Sequence, residues 1–191
     1  MVESIFLTTD KGSKVRILTP YDYDRYVANI DKDYLRTVFN IAFWSGMRYI
    51  EVRRLYKHPE WVLKERKNIY LPREAQQKVK RISPERYIPI PSQISGELSY
   101  FFKNQKPPVL KVWNDNLKRW AKKAEFDLIG ISPKMTRASI ESWMYQAEIS
   151  PGTICQRQGH DRLTSLNHYM AIPFTEAERI EIKKRLAGWS K

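Results

Sequence analysis

Apolar residues recur at helical spacing over most of the chain, and this pattern limits the possible folds more than any other feature. The clearest case is Val109–Phe126, where one face is apolar and the other carries lysines and Arg119. Such a stretch is typical of an amphipathic helix that covers a hydrophobic core. The residues predicted to face inward are Leu110, Val112, Trp113, Leu117, Trp120 and Ala121.

Helix start and stop signals divide the remainder of the chain. Thr19-Pro20 is predicted to cap and begin one helix, Asp31 to cap the next, and Ser45-Gly46 to end it. Helices are predicted over residues 20–29, 32–45, 47–56, 94–104, 109–126, 134–147, 151–157 and 175–189.

Two short regions have strand character instead. Residues 4–9 and 15–18 predict a small hairpin or a loose lead-in. Strands are also predicted within residues 61–71 and over Tyr87–Ile90, with the polar, basic stretch 73–86 as the tip between them. The predicted fold class is therefore mainly α with a small antiparallel β-sheet (α+β). Residues 1–18 are predicted to lead into one domain over residues 19–191.

Composition narrows the possible partners. The chain has 34 Lys+Arg against 21 Asp+Glu, a formal net charge of +13. This excess favours a polyanionic partner such as nucleic acid, although some proteins are merely basic. The single cysteine, Cys155, excludes an intramolecular disulfide and favours an intracellular, cytoplasmic setting. Three histidines and one cysteine are too few for a zinc cluster, and no apolar run is long enough to cross a membrane.

Three short motifs carry the residues best suited to chemistry. In the first, Arg48, Glu51 and Leu55 share one helix face, so Glu51 can hold the Arg48 guanidinium. The second is Lys134-Met-Thr-Arg137, and the third is Gly159-His160 followed by Tyr169. Taken singly, each has an ordinary structural reading, which is a surface ion pair, the start of a helix, or a tyrosine buried by an amphipathic helix.

Together, the motifs resemble the three boxes of the tyrosine recombinases, the family of phage integrases and Xer-like enzymes. The boxes occur in the family's order, and a β-hairpin that carries lysines lies between the first and the second. The resemblance covers residues 19–175, nearly the whole chain. It implies the tyrosine recombinase catalytic-domain fold.

The resemblance also implies a set of site residues. Tyr169 would attack a DNA phosphodiester and form a 3′-phosphotyrosine, while Arg48 and Arg137 hold the phosphate oxygens. A lysine of the hairpin would be the general acid; Lys80 fits best and Lys78 is the alternative. The remaining members of the set are Lys134 and His160. We prefer His160 to His168, because adjacent helical residues such as His168 and Tyr169 do not face each other. The reaction would need neither a metal nor a cofactor.

The chain departs from the family's usual pattern in two places. Lys134 stands where most members have histidine, as in archaeal and archaeal-virus integrases. No separate DNA-clamping domain is expected before the first helix, because only about 18 residues precede it.

The implied partner is double-stranded DNA, with self-association into a dimer or tetramer on it. Two alternative functions remain: DNA relaxation of the type IB topoisomerase kind, and non-catalytic DNA binding. The final helix is open to two interpretations. It could close its own domain, with Ile180, Ile182, Leu186 and Trp189 inward, or it could pack against a neighbouring protomer.

Overall fold

Helices make up most of the described chain, which in this computed structural model comprises residues 4–9, 12–76, 85–159 and 172–189. Among these residues, no helix is both long and apolar enough to span a membrane. The helices are α1 Pro20–Ala28, α2 Asp33–Ser45, α3 Tyr49–Leu55, α4 Ser92–Ser95, α5 Glu97–Lys103, α6 Leu110–Lys123, α7 Lys134–Gln146, α8 Pro151–Gln158 and α9 Glu176–Arg185.

The predicted β-structure is present as two small antiparallel sheets. One is the hairpin of β1 (Ile5–Thr8) and β2 (Lys14–Ile17). The other has the order β3-β4-β5, built from Val62–Leu63, Asn68–Leu71 and Arg86–Pro89. Strand β5 begins one residue earlier than predicted, so Arg86 belongs to the sheet. Single 3₁₀ turns cover Pro59–Trp61 and Arg73–Gln76. These elements confirm the predicted α+β class.

Local capping explains where α1 begins. The Thr19 hydroxyl accepts a hydrogen bond from the Asp22 amide at 3.1 Å, and the Asp22 carboxylate accepts one from the Thr19 amide at 3.4 Å. Pro20 occupies the first helical position, where its missing N–H costs nothing. This capping box confirms the start that was predicted from Thr19-Pro20.

The predicted cap of α2 is wrong. Lys32 is the residue at the helix start, and no side chain caps it. The Asp31 carboxylate accepts instead from Lys123 and lies 3.4 Å from the Arg119 guanidinium, which ties it to α6. The predicted end of α2 is correct, because Gly46 takes up a left-handed conformation with φ +69°.

Helix α6 buries a narrower face than predicted. Trp113, Leu117, Trp120 and Ala121 lie in the core, but Leu110 and Val112 are 55% and 46% exposed. Both are in the first turns of the helix, where the chain passes the edge of the core. The helix ends at Lys123, three residues before the predicted end.

Hairpin β1–β2 fixes the position of α7 in the core. The Leu18 amide donates to Ser139 Oγ at 2.8 Å, and Trp143 Nε1 donates to the Leu18 carbonyl at 2.8 Å. Trp143 also packs edge-on against Phe43 of α2 at a ring distance of 5.0 Å. The first turns of α7 carry Lys134 and Arg137, so these contacts set where both side chains emerge.

Helix α9 packs on its own chain. Ile182 and Leu186 are buried, and Arg185 donates to both Asp24 carboxylate oxygens, at 2.9 and 2.7 Å. Ile180 was predicted to face inward, but it is 60% exposed. Residues two apart on a helix lie about 200° apart around the axis, so Ile180 and Ile182 cannot share one face.

Candidate active site

Arg48 immediately precedes α3 and is held by the predicted partner. The Arg48 amide donates to Glu51 Oε2 at 2.7 Å, and Arg48 Nη1 donates to Glu51 Oε1 at 3.0 Å. The side chain is only partly buried. One carboxylate therefore caps the helix and orients the guanidinium, which leaves other N–H groups of Arg48 directed away from Glu51.

Glu51 also pairs with a second arginine. Arg86 Nη2 donates to Glu51 Oε2 at 2.8 Å, and both side chains are buried. Burial by itself would raise the pKa of Glu51, but the charges of Arg86, Arg137 and Arg48 outweigh it and hold that pKa below its usual range. Glu51 is therefore an anion inside a cluster of cations at neutral pH.

Arg137 joins three parts of the chain through backbone atoms. Its Nη1 donates to the Gly46 carbonyl at 2.8 Å, and its Nη2 donates to the Gln158 carbonyl. Gly46 must be glycine here, since a β-carbon would lie 2.4 Å from Gln158 Nε2 and φ is positive. These bonds bring the ends of α2 and α8 to the second motif.

Arg137 keeps its positive charge although it is partly surrounded by protein and lies near another cation. Burial, together with a smaller contribution from the nearby charge of Arg48, lowers the pKa of Arg137 to about 10, while Glu51 opposes the shift. Arg137 is still protonated at neutral pH. A partly buried cation gains more from binding a phosphate oxygen than a fully exposed cation would.

Arg48, Lys134 and Arg137 line one open groove of about 400 Å³. Its walls are otherwise mainly apolar, with Val15 and Leu110 among the lining residues. An apolar wall beside two arginines lowers the local polarity where an anion would bind, which strengthens each charge-assisted hydrogen bond.

The groove continues past Lys134 into a second cavity of about 650 Å³. Lys14 of the hairpin and Lys111 and Asn114 of α6 line this part. The two cavities share Lys134 and three neighbouring residues, so together they form one basic channel, bounded by Arg48 at one end and Lys14 at the other. An extended polyanion fits such a channel better than a small ligand does.

Several predicted site residues lie outside the described part of the chain. They are the hairpin lysine Lys80, with its alternative Lys78, and the third-motif residues His160 and Tyr169. Within the described ranges, no group of three or more His, Cys, Asp and Glu residues is arranged to hold a metal.

Sequence reasoning missed one buried residue of the cluster, Arg86, which was assigned to the polar tip 73–86. The signal available was strand alternation: Arg86 is in phase with the buried Ile88, while Tyr87 and Pro89 are exposed. An arginine on the inner face of a strand needs a buried partner, and Glu51 is that partner.

Comparisons with protein-family models and with curated proteins found no match. Solved structures do match. One is the Tn1549 transposon integrase with a circular intermediate DNA, which is 21% identical, with a TM-score of 0.66 over 95% of this chain. The same integrase with transposon right end DNA is 19% identical, with a TM-score of 0.65 over 90% of this chain.

The XerH site-specific recombinase, bound to palindromic difH substrate in a post-cleavage complex, is 17% identical, with a TM-score of 0.62 over 92% of this chain. The chain spans 66–68% of the Tn1549 integrase chains and 53% of the XerH chain. The chain thus has the predicted fold, that of the tyrosine recombinase catalytic domain.

Proposed function

We propose that this chain is the catalytic domain of a site-specific DNA recombinase or integrase, in which residues 19–191 are joined by hairpin β1–β2 as one wall of the groove. The observation that carries the proposal is the convergence of Arg48, which precedes α3, with Lys134 and Arg137 of α7 on one basic groove. The structures of similar fold are of an integrase and a recombinase bound to DNA. Double-stranded DNA is accordingly the proposed substrate.

In the proposed reaction, Arg48 and Arg137 bind the non-bridging oxygens of the scissile phosphate. Tyr169 Oη attacks phosphorus, a new P–O bond forms, and the bond to the 5′-oxygen breaks. Free tyrosine has a pKa of about 10, so the Tyr169 proton must leave during the attack. We assign His160 as the group that accepts it. The products are a 3′-phosphotyrosine and a free 5′-hydroxyl.

Two lysines complete the proposed mechanism. Lys80 donates a proton to the departing 5′-oxygen, with Lys78 as the alternative, and Lys134 adds a further positive charge to the phosphate site. Cationic side chains thus provide the charge stabilisation that metal ions provide in other phosphoryl-transfer enzymes, so the proposed reaction uses no metal. The phosphotyrosine bond conserves the energy for rejoining the strands.

The proposal extends to the biological setting on sequence grounds alone. Lys134 in place of histidine favours an archaeal or archaeal-virus integrase. Strand exchange between two DNA sites requires several active sites at once, so we propose self-association on intracellular DNA.

Trapping on a nicked suicide DNA tests the proposed function. Loss of a short 5′-hydroxyl fragment after cleavage would prevent rejoining, so the covalent complex should accumulate. Peptide mapping is expected to place the nucleotide on Tyr169. A single preferred cleavage site supports recombination, whereas cleavage at many sites with relaxation of supercoils would support the type IB topoisomerase alternative. Binding without any adduct would leave only the DNA-binding alternative.

Substitution of either groove arginine is expected to impair cleavage more than binding. Arg48→Ala or Arg137→Ala should lower the single-turnover cleavage rate about 10²–10³-fold, by analogy with loss of an oxyanion-hole donor. DNA affinity should change little, because several other cations contact the backbone. Arg66→Ala, on the turn before β4 and outside the groove, is the matched control. Equal losses in binding and cleavage would contradict the assigned role.

The affinity for DNA should depend steeply on salt. If Lys14, Arg48, Lys111, Lys134 and Arg137 each neutralise a phosphate, the slope of log K against log salt is expected to be about −4 to −5. Removing both Lys14 and Lys111 should make the slope less steep by about 2. Lys183→Gln, which removes a charge paired with Glu148, should leave the slope unchanged. Titrations from low to high salt, followed by fluorescence anisotropy, measure this; a flat dependence excludes the channel as a DNA site.

A further inference from the structure

Arg86 is the most deeply buried cation of the cluster, and it does not line the groove. It is 3% exposed and begins β5. Its Nη1 and Nη2 donate to Glu51 Oε1 and Oε2 at 3.3 and 2.8 Å, and its Nε donates to the Arg157 carbonyl at 3.1 Å. Direct contact with a phosphate in the groove is therefore not its function.

The partners of Arg86 lie within the first motif and just before the third. Glu51 is the residue that holds Arg48, and Arg157 lies in the last turn of α8, three residues before His160. The guanidinium also lies against Gly159, where a β-carbon would come within 2.9 Å of Arg86 Nη1. One side chain thus touches both the support of Arg48 and the backbone that leads into the third motif.

We propose that Arg86 is a positioning residue of this site, which sets the orientation of Arg48 through Glu51. The inference rests on the proposed function, because it concerns how that phosphate site is organised. Arg86 fixes both carboxylate oxygens of Glu51. Glu51 can then hold the amide and the guanidinium of Arg48 in only one arrangement.

The geometry requires an arginine and not only a positive charge. Arg86 directs three N–H groups in one plane to three acceptors on two segments, and the point-like ammonium of lysine cannot match them together. A buried ion pair at this position is also what a purely structural role would require, because breaking such a pair destabilises the fold. The two roles differ in whether the effect on cleavage passes through Arg48.

Arg86→Lys and Arg16→Lys form a matched pair of variants. Arg16 is also a buried arginine; it pairs with Asp127 at 2.6 Å and is not among the residues that line the groove. Both variants should lose stability in urea unfolding. Only Arg86→Lys should slow single-turnover cleavage in the folded protein, by about 10²-fold, as a small displacement of a catalytic group does. DNA affinity should be nearly unchanged in both.

A double-mutant cycle separates positioning from general destabilisation. If Arg86 acts through Arg48, then adding Arg86→Lys to Arg48→Ala should slow cleavage little beyond Arg48→Ala alone. Losses that multiply would overturn the proposal, and so would equal slowing by Arg16→Lys.

If Arg86→Lys does not fold, the double variant Glu51→Met/Arg86→Met replaces the buried pair by apolar side chains of similar size. It should fold and still cleave about 10²-fold more slowly, and wild-type cleavage by it would overturn the proposal.

One readout is independent of cleavage. In ¹⁵N–¹H spectra, the Nε–H resonance of Arg48 should shift in Arg86→Lys and stay in place in Arg16→Lys. If the wild-type protein forms no covalent adduct, the proposed function fails while this spectrum still decides the positioning by Arg86. An unchanged Arg48 resonance in Arg86→Lys would overturn the inference even in an active enzyme.

Discussion

Replacing Tyr169 by phenylalanine is expected to abolish the covalent protein–DNA complex while DNA binding stays close to that of the wild-type protein. The substitution removes one oxygen, the atom proposed to attack phosphorus, and leaves an aromatic ring of nearly the same size. Because the phosphate contacts are assigned to arginine and lysine side chains, affinity does not depend on this hydroxyl. Denaturing gels after incubation with suicide DNA, together with anisotropy titrations, measure both quantities.

Tyr49 provides the sharpest control, because it lines the same groove as the arginines. Its hydroxyl donates to the Pro108 carbonyl at 2.7 Å, and its ring stacks on Trp113 at 4.6 Å. Burial raises the pKa of Tyr49 well above its usual value, which makes it a poor nucleophile. Tyr49→Phe should therefore still form the adduct. If the adduct persists in Tyr169→Phe and is lost in Tyr49→Phe, then Tyr49 is the nucleophile and the assignment to Tyr169 is wrong.

Replacing Glu51 by glutamine is expected to cost about 3–5 kcal/mol of unfolding free energy, as breaking one side of a buried ion pair does. The amide keeps the size of the carboxylate but removes the charge that compensates Arg48, Arg86 and Arg137. Urea unfolding followed by tryptophan fluorescence measures the loss. Glu148→Gln, at an exposed pair with Lys183, should leave the unfolding free energy nearly unchanged. Similar small effects for both variants would show that Glu51 is not the centre of the cluster.

The stabilisation by Glu51 should disappear in acid. Its pKa is lower in the folded state than in an unfolded chain, where the ordinary value is 4.5. Its contribution is therefore complete above that ordinary value and is lost as the pH falls through the lower folded-state value. The difference in unfolding free energy between the wild-type protein and Glu51→Gln should become smaller below pH 4.5 and stay constant from pH 6 to 8.

The sequence predicts this fold well where the signals are local. Thr19-Pro20 identifies a helix start, Gly46 a helix end, and the spacing of Arg48 and Glu51 a contact, because each signal acts within one helical turn. The errors lie where distant segments decide. Asp31 fails as a cap because α6 brings Lys123 to it, and Leu110 is exposed because it lines the open groove.

The same division applies to the candidate site. Motif order in the sequence selected Arg48, Lys134 and Arg137, and the fold brings these three to one groove. Their catalytic roles remain predictions, as do those of Lys80, His160 and Tyr169. Arg86 was missed because its partner, Glu51, is 35 positions away along the chain. No pattern read over a few neighbouring residues can contain that pair.

The hydrogen bonds of Arg137 to two main-chain carbonyls affect which amino-acid substitutions the site can tolerate. Main-chain oxygens are the same in every amino acid, so the anchor points at 46 and 158 do not depend on the side chains that those positions carry. Steric limits still hold, most strictly at Gly46. Because the acceptors are main-chain atoms, side chains around the groove can change while the Arg137 guanidinium keeps its position.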